Sequence, residues 1–318
     1  MGEELERTPT EHSPTKYPQK TVWLVDSSIY VFKAWYTRPD DLVDINGRPI
    51  NAVLGFIDFV YRLLSTEMPE RIAFAFDESL ATSHRKEIYP EYKANRSSAP
   101  ESLRNQFRLC REFLRTLGIH EAASPYYEAD DLIGTWATAL RSNDTSINII
   151  TADKDLAQLV HANDFWWEYT QNKKLDSKKI TKRFRAKPRQ IADQLAIAGD
   201  KSDNIPGVPG IGMTTAGKLL KHFDTLENLL ANIPKISSLQ IRGAKQIQDS
   251  IEEHQDTILL SRQLTGICCD IESVDKHAFH YASFEKNEED AFIQLCEQLN
   301  LSMQKQQEWL KLRFKLAS

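Results

Sequence analysis

Val22-Trp23-Leu24-Val25-Asp26 is a short, nearly unbroken apolar run that stops on an aspartate. Two further runs share this design: Ile72-Ala73-Phe74-Ala75-Phe76-Asp77 and Ile147-Asn148-Ile149-Ile150-Thr151-Ala152-Asp153. Runs of this length and composition predict strands covered on both faces of a parallel sheet. Helical patterns lie between them. Val53, Phe56, Ile57, Val60 and Leu64 recur at spacings of three and four, as do Phe107, Cys110, Phe113, Leu114 and Leu117. Leu132, Trp136, Ala139 and Leu140 face one way on a third helix. The alternation predicts an α/β fold with a mostly parallel central sheet flanked by helices. Ligands of such sheets sit beyond the carboxyl ends of the strands, so three strand-ending aspartates line one edge.

Further along, the character changes. From about residue 184 the pattern is helical with Gly/Pro turns, at 189–198, 214–222, 224–232 and 243–255, and no strand is expected before about 267. The expected organisation is a tail at 1–20, a main domain at 21–183, a smaller helical region at 184–265 and a C-terminal segment at 266–318. The first twenty residues are polar and carry no apolar run, which reads as a flexible tail without a secretory signal. No apolar stretch approaches the length of a membrane span. The four cysteines (Cys110, Cys268, Cys269, Cys296) lack metal-finger spacing, which fits a reduced, cytoplasmic location. Nothing in the sequence requires more than a monomer.

More acids join the three strand ends. Glu128-Ala129-Asp130-Asp131 opens a helix, where acids are favourable with the helix dipole. Asp153-Lys154-Asp155 follows the third strand, and Asp200-Lys201-Ser202-Asp203-Asn204 precedes a proline turn, where such residues are common. Each group alone has an ordinary structural explanation. Together, Asp26, Asp77, Glu128, Asp130, Asp131, Asp153, Asp155, Asp200 and Asp203 do not. Two like charges about 4 Å apart repel by roughly 4 kcal/mol at an effective dielectric near 20. Several such pairs rival the whole stability of a domain, about 5–15 kcal/mol. Bound cations resolve the conflict. An oxygen-only donor set points to Mg²⁺ or Mn²⁺ rather than zinc, and the number of acids suits two ions able to support attack of water on a phosphodiester.

The net charge of −5 does not exclude a nucleic-acid partner, because charge acts by region. Residues 172–189 hold nine basic residues against one acid, and residues 82–115 hold eight against four. Within the second run, Tyr92 suits either stacking on a base or ordinary packing. Gly207, Gly210 and Gly212, in Ile205-Pro-Gly-Val-Pro-Gly-Ile-Gly212, let backbone N–H groups approach a phosphate at a helix start. Gly212-Met-Thr-Thr-Ala-Gly217-Lys218 imitates a P-loop, but Leu219 stands where Ser or Thr should hold Mg²⁺ and no strand precedes it. Lys218 is therefore assigned to DNA rather than to nucleotide hydrolysis.

In order along the chain stand Asp26, Phe76-Asp77, Tyr89-Pro-Glu-Tyr-Lys-Ala-Asn-Arg96, Glu128-Ala-Asp-Asp131, Thr151-Ala-Asp-Lys-Asp155 and Gly199-Asp-Lys-Ser-Asp-Asn-Ile-Pro-Gly-Val-Pro-Gly-Ile-Gly212. This combination closely resembles the 5′-nuclease (flap endonuclease) family, in particular the 5′→3′ exonuclease domain of bacterial DNA polymerase I, over about 21–272. The resemblance implies a helical arch over the site, a helix–three-turn–helix region gripping duplex DNA (often with K⁺ at the turn), and a free-standing enzyme acting on 5′ flaps or ends beside a polymerase in replication and repair. It implies that Asp77, Glu128, Asp130 and Asp131 surround one ion and Asp153, Asp155, Asp200 and Asp203 the other, with Asp26 close by. Lys93 and Arg96 are implied to contact the scissile phosphate, with Arg85 nearby in the gateway. Asp26-Ser27-Ser28 departs from the family, where Gly commonly follows the Asp. An aspartate-rich RNA-cutting nuclease and a non-catalytic binder of branched DNA are the competing readings.

Overall fold

The first strand, β1 (Thr21–Asp26), is buried along its whole length. Its alternate residues serve opposite cores: Trp23 and Val25 join one hydrophobic cluster, Val22 and Leu24 the other. A sheet covered on both faces explains why the run is continuously apolar. A computed structural model describes residues 20–78, 82–276 and 279–317; the expected tail falls almost wholly outside them. β1 is followed by α1 (Ser27–Thr37), α2 (Asn51–Glu67), β2 (Ile72–Asp77), α3 (His84–Ile88) and α4 (Glu101–Thr116). Then come β3 (His120–Ser124), α5 (Ala129–Leu140), β4 (Ser146–Ile150), β5 (Phe165–Glu168), β6 (Lys173–Leu175) and α6 (Ser177–Phe184).

The six strands lie in the order β3-β2-β1-β4-β5-β6, all parallel except the β5–β6 pair. The chain builds outward from β1 through β2 and β3, then returns to the other side of β1 with β4. That reversal opens a crevice beyond the carboxyl ends of β1 and β4. The apolar stripe of α2 covers one face, with Val53, Phe56, Ile57, Val60 and Leu64 at most 1% exposed. On the other face α5 packs through Leu132, Ile133 and Trp136.

The expected third strand ran to Asp153 but ends at Ile150. Thr151 turns the chain there: its hydroxyl donates to Asp26 and accepts the Asp153 N–H, at 2.8 and 2.9 Å.

After α6 the described residues contain no further strand. α7 (Ile191–Ala198), α8 (Met213–Phe223), α9 (Leu226–Leu230), α10 (Ala244–Glu253) and α11 (Gln255–Thr265) enclose a core of their own, including Leu219, Leu220, Leu229 and Ile251. α12 (Lys286–Gln298) and α13 (Met303–Ala317) return to the sheet domain, where Phe292 and Trp309 both pack against Phe113. No helix among the described residues is long and apolar enough to cross a membrane.

Candidate active site

Local hydrogen bonding gathers the acids. Asp26 ends β1, and Asp77 ends β2 with its N–H donated to Ser28 Oγ at 2.9 Å. Asp77 Oδ1 accepts the N–H of Ala129, the first residue of α5, at 2.9 Å. That contact seats the α5 N-terminus at the strand edge, with Glu128 as its N-cap and Asp130 in its first turn. Asp153 and Asp155 follow β4, where Asp153 Oδ1 accepts the Asp155 N–H at 2.8 Å. Asp200 and Asp203 arrive from the turn after α7.

The acids feel one another. Burial raises the Asp26 carboxyl well above the usual range, and the charges of Asp77 and Asp153 add to it. Burial also raises Asp130, reinforced by Asp153, Asp26, Asp77 and Glu128. Asp155 is pushed up to about 7 by burial and then by Asp153, with Lys154 opposing and Asp200 and Asp203 adding. Asp153 thus belongs to two overlapping groups of carboxylates. Among the described residues none of Asp26, Asp77, Asp130 and Asp153 makes an ion pair, while the outer acids do. Lys93 Nζ sits 2.9 Å from Glu128 and 3.5 Å from Asp203, Arg96 pairs with Asp203, and Lys154 lies 2.6 Å from Asp200. For Glu128 burial raises the carboxyl, but Lys93 and Arg85 overcome it and the net shift is downward.

The donor set suits a hard cation. The acids at this edge offer only oxygens, and the buried Glu128 Oε1 and Asp155 Oδ1 have no hydrogen-bond partner. As they stand, no three His, Cys, Asp or Glu side chains among the described residues are grouped so as to hold an ion. Glu128, Asp203 and Asp200 are instead engaged in ion pairs with Lys93, Arg96 and Lys154.

Four of the expected site residues turn out to be committed elsewhere. Asp131 is fully buried. Its oxygens accept from Arg85 Nη1 and Nη2 and from the N–H groups of Glu128 and Cys268, at 2.7–3.0 Å. Those four bonds fill the acceptor capacity of a carboxylate, so Asp131 holds the helix start rather than offering a free ligand atom. Arg85 is only 3% exposed and also donates to the carbonyls of Leu264 and Gly266, so it is a structural tie rather than a gateway contact. Tyr92 is 2% exposed, packs with Ile205 and Leu264, and donates to Glu128 at 3.1 Å. A ring so enclosed has no face for a base. At Gly207 an added Cβ would collide with the backbone of Ala198 and Gly199, so that glycine serves internal packing. Gly210 (φ 78°) and Gly212 face open space, and Gly212 caps α8. Lys218 is exposed on α8.

Sequence reasoning passed over Thr151, Lys154, Asn95 and Asn204. Lys154 carried a signal, standing between two acids in the quoted Asp-Lys-Asp. Hydroxyl and amide roles depend on which turns meet, and no local pattern announces that.

The raised carboxyl of Asp155 has a measurable consequence. A carboxyl with its folded pKa above its unfolded value binds an extra proton when folded. Its contribution to stability is full below about 4 and is lost as pH rises through about 7. In chelator, Asp155→Asn should therefore gain on the parent between pH 5 and pH 8, by about 3 °C in Tm or more. Parallel melting curves for the two proteins at both pH values, with no relative gain, would contradict the crowding described above.

A parallel sheet with acids at its carboxyl edge, joined to a helical module of Gly/Pro turns, defines a two-part class. The model of the 5′-3′ exonuclease N-terminal, resolvase-like domain matches residues 21–185, and that of the 5′-3′ exonuclease C-terminal SAM fold matches 186–289. The 5′-3′ exonuclease of Buchnera aphidicola subsp. Acyrthosiphon pisum is 36% identical over 79% of this chain and 87% of its own. DNA polymerase I of Pseudomonas aeruginosa is 38% identical over 80% of this chain, which spans 28% of that protein's length. The flap endonuclease of bacteriophage T5, in a pseudo-enzyme–product complex with DNA and metal ions, shares the fold. It has a TM-score of 0.61 and 16% identity over 93% of this chain and 100% of its own. The chain belongs to the 5′-3′ exonuclease family.

Proposed function

We propose that the protein is a divalent-metal-dependent 5′ nuclease that hydrolyses DNA phosphodiester bonds at 5′ flaps and 5′ ends, using two Mg²⁺ or Mn²⁺ ions, in replication and repair. One observation carries this reading: acids that raise one another's proton affinity lie beside Lys93 and Arg96, with two buried carboxylate oxygens lacking a hydrogen-bond partner. Asp26, Asp77, Glu128 and Asp130 would hold one ion, and Asp153, Asp155, Asp200 and Asp203 the other, with Asp153 central to both. Bound there, the ions supply an activated water and neutralise charge on the phosphoryl oxygens.

The chain's own residues do the rest. Lys93 and Arg96 bind the scissile phosphate once it draws them from Glu128 and Asp203. Asp131 and Arg85 orient the α5 N-terminus. Gly210, Gly212 and the start of α8 receive a backbone phosphate of the duplex, with Lys218 on the same helix. No base edge is read, so binding should weaken as salt rises. The relatives support this reading, one being a flap endonuclease bound to DNA and metal ions. Others are DNA polymerases I in which the corresponding stretch accompanies a polymerase, the suggested partner here. The residue division at about 184 then separates a cutting domain from a duplex-gripping one. Four free cysteines fit a reducing, intracellular setting.

The test is incubation with a 3′-labelled, 5′-flapped DNA duplex, with and without Mg²⁺. A product cut at the flap junction and lost with chelator is expected. Retained DNA without product in Mg²⁺ or Mn²⁺ would make the protein a structure-selective binder. Preference for a matched RNA flap would make it a ribonuclease.

A further inference from the structure

Two turns meet at the mouth of the carboxylate cluster. One, residues 90–96, carries Lys93 and Arg96; the other, residues 200–205, carries Asp200 and Asp203. They are fastened in both directions. Lys93 N–H donates to the Asp203 carbonyl at 2.9 Å, and Asn95 Nδ2 donates to the Lys201 carbonyl at 3.0 Å. Asn204 Nδ2 donates the other way, to the Glu91 carbonyl, at 2.7 Å. Arg96 Nε reaches the Ser202 carbonyl at 3.4 Å. Beneath them Tyr92, Ile205 and Leu264 form an apolar pad.

Both turns hold a residue in the left-handed region, Lys93 at φ 52° and Asn204 at φ 55°. Asn tolerates that conformation and Lys seldom adopts it. Such a Lys persists only where its surroundings over-determine it, and here the surroundings are the facing turn. The result is a Lys93 ammonium that spans Glu128 and Asp203.

The geometry points to Asn95 and Asn204 as positioning residues: their opposed amide bonds clasp the turn bearing the two cations to the turn bearing two of the acids. Both amides are engaged on backbone carbonyls of the facing turn, so both act through Lys93 and Arg96. Long basic side chains on an untethered surface turn would sample many positions; fastening the backbone beneath them restricts where their charges sit. The inference rests on the proposed nuclease function.

Asn204→Gly keeps the left-handed backbone accessible while deleting the amide, and Asn95→Ala deletes its counterpart. Each should lower kcat on a flapped duplex about tenfold, and the double variant on the order of 10²-fold, as expected when catalytic groups shift by about 1 Å. DNA affinity measured with Ca²⁺ and the melting temperature should stay near the parent's. Amide exchange at Lys93 in the metal-free, DNA-free protein should quicken in the double variant. An active parent with an unaffected double variant, or a Lys93 amide that exchanges no faster, overturns the inference. So does a fall in kcat matched by equal losses of affinity and melting temperature. A parent that fails to cut in Mg²⁺ defeats the proposed function instead, and the exchange measurement still decides whether the clasp exists.

Discussion

Asp153→Asn is expected to abolish cutting while leaving the protein bound to its DNA and somewhat more stable. Asp153 is the acid common to both carboxylate groups, since its charge raises Asp26 and Asp130 on one side and Asp155 on the other. An amide of the same shape removes that charge without opening a cavity. Its backbone bonds to Thr151 and Trp166 use the N–H and C=O, which the substitution leaves in place. A bound ion stabilises the transition state by several kcal/mol, so weakening both proposed ion sites should slow single-turnover cleavage by about 10³-fold or more. In chelator the same variant should melt above the parent, because one member of a repelling set is gone. Quench-flow cleavage and melting curves on one preparation check both halves. Full turnover in the variant would remove Asp153 from the chemistry, and a lower melting temperature would mean the cluster is not under electrostatic strain.

The second large effect concerns stability. Arg85→Met should lower Tm by about 10 °C, since breaking a buried ion pair costs roughly 3–5 kcal/mol and each kcal/mol moves Tm by about 2–4 °C in a chain of this order. The loss is specific. Asp131 would be left fully buried with two of its four donors gone, and the Leu264 and Gly266 carbonyls would lose their partner. Arg85→Lys keeps the charge without the planar fork and should fall between the two. Arg108→Met, which breaks only an exposed pair with Glu112, should change Tm little. Equal melting temperatures for the Arg85 and Arg108 variants would show that the buried tie is not a stabilising element.

How far the residues announced all this depends on the range of the interactions. The sheet was readable because β1 and β2 are buried on both faces and say so in consecutive apolar residues. β3 (His-Glu-Ala-Ala-Ser) and β6 (Lys-Lys-Leu) were not, being half-buried flanks of the sheet where polar and basic side chains are admitted. Four aromatic-rich residues in β5 were too few for any period to emerge. At the site, the acids were legible because like charges in one place demand an explanation. Their inequality was not. Asp130 and Asp131 are neighbours with the same side chain, yet one is crowded by acids and the other saturated by Arg85 and two amides. Arg85 misled, and Tyr92 stayed open between packing and stacking, for the same reason: a cation and an aromatic in a basic stretch look like DNA contacts until the burial contributed by distant residues 205 and 264 is known. Gly207 and Gly210 differ only in what approaches them.

The return of α12 and α13 to the sheet imposes an order on how the molecule can be made. The pocket around Phe113 and Leu117 is closed by Phe292, Trp309 and Arg313, and Arg313 ties down the Leu117 and Ala282 carbonyls. During translation at about 5–20 residues per second, that pocket waits on the order of ten seconds or more for its lid. The enclosed helical core of α7–α11 is complete before then. A nascent chain therefore presents a finished helical core beside a sheet domain still open at that pocket, and the later helices decide when the sheet domain becomes whole.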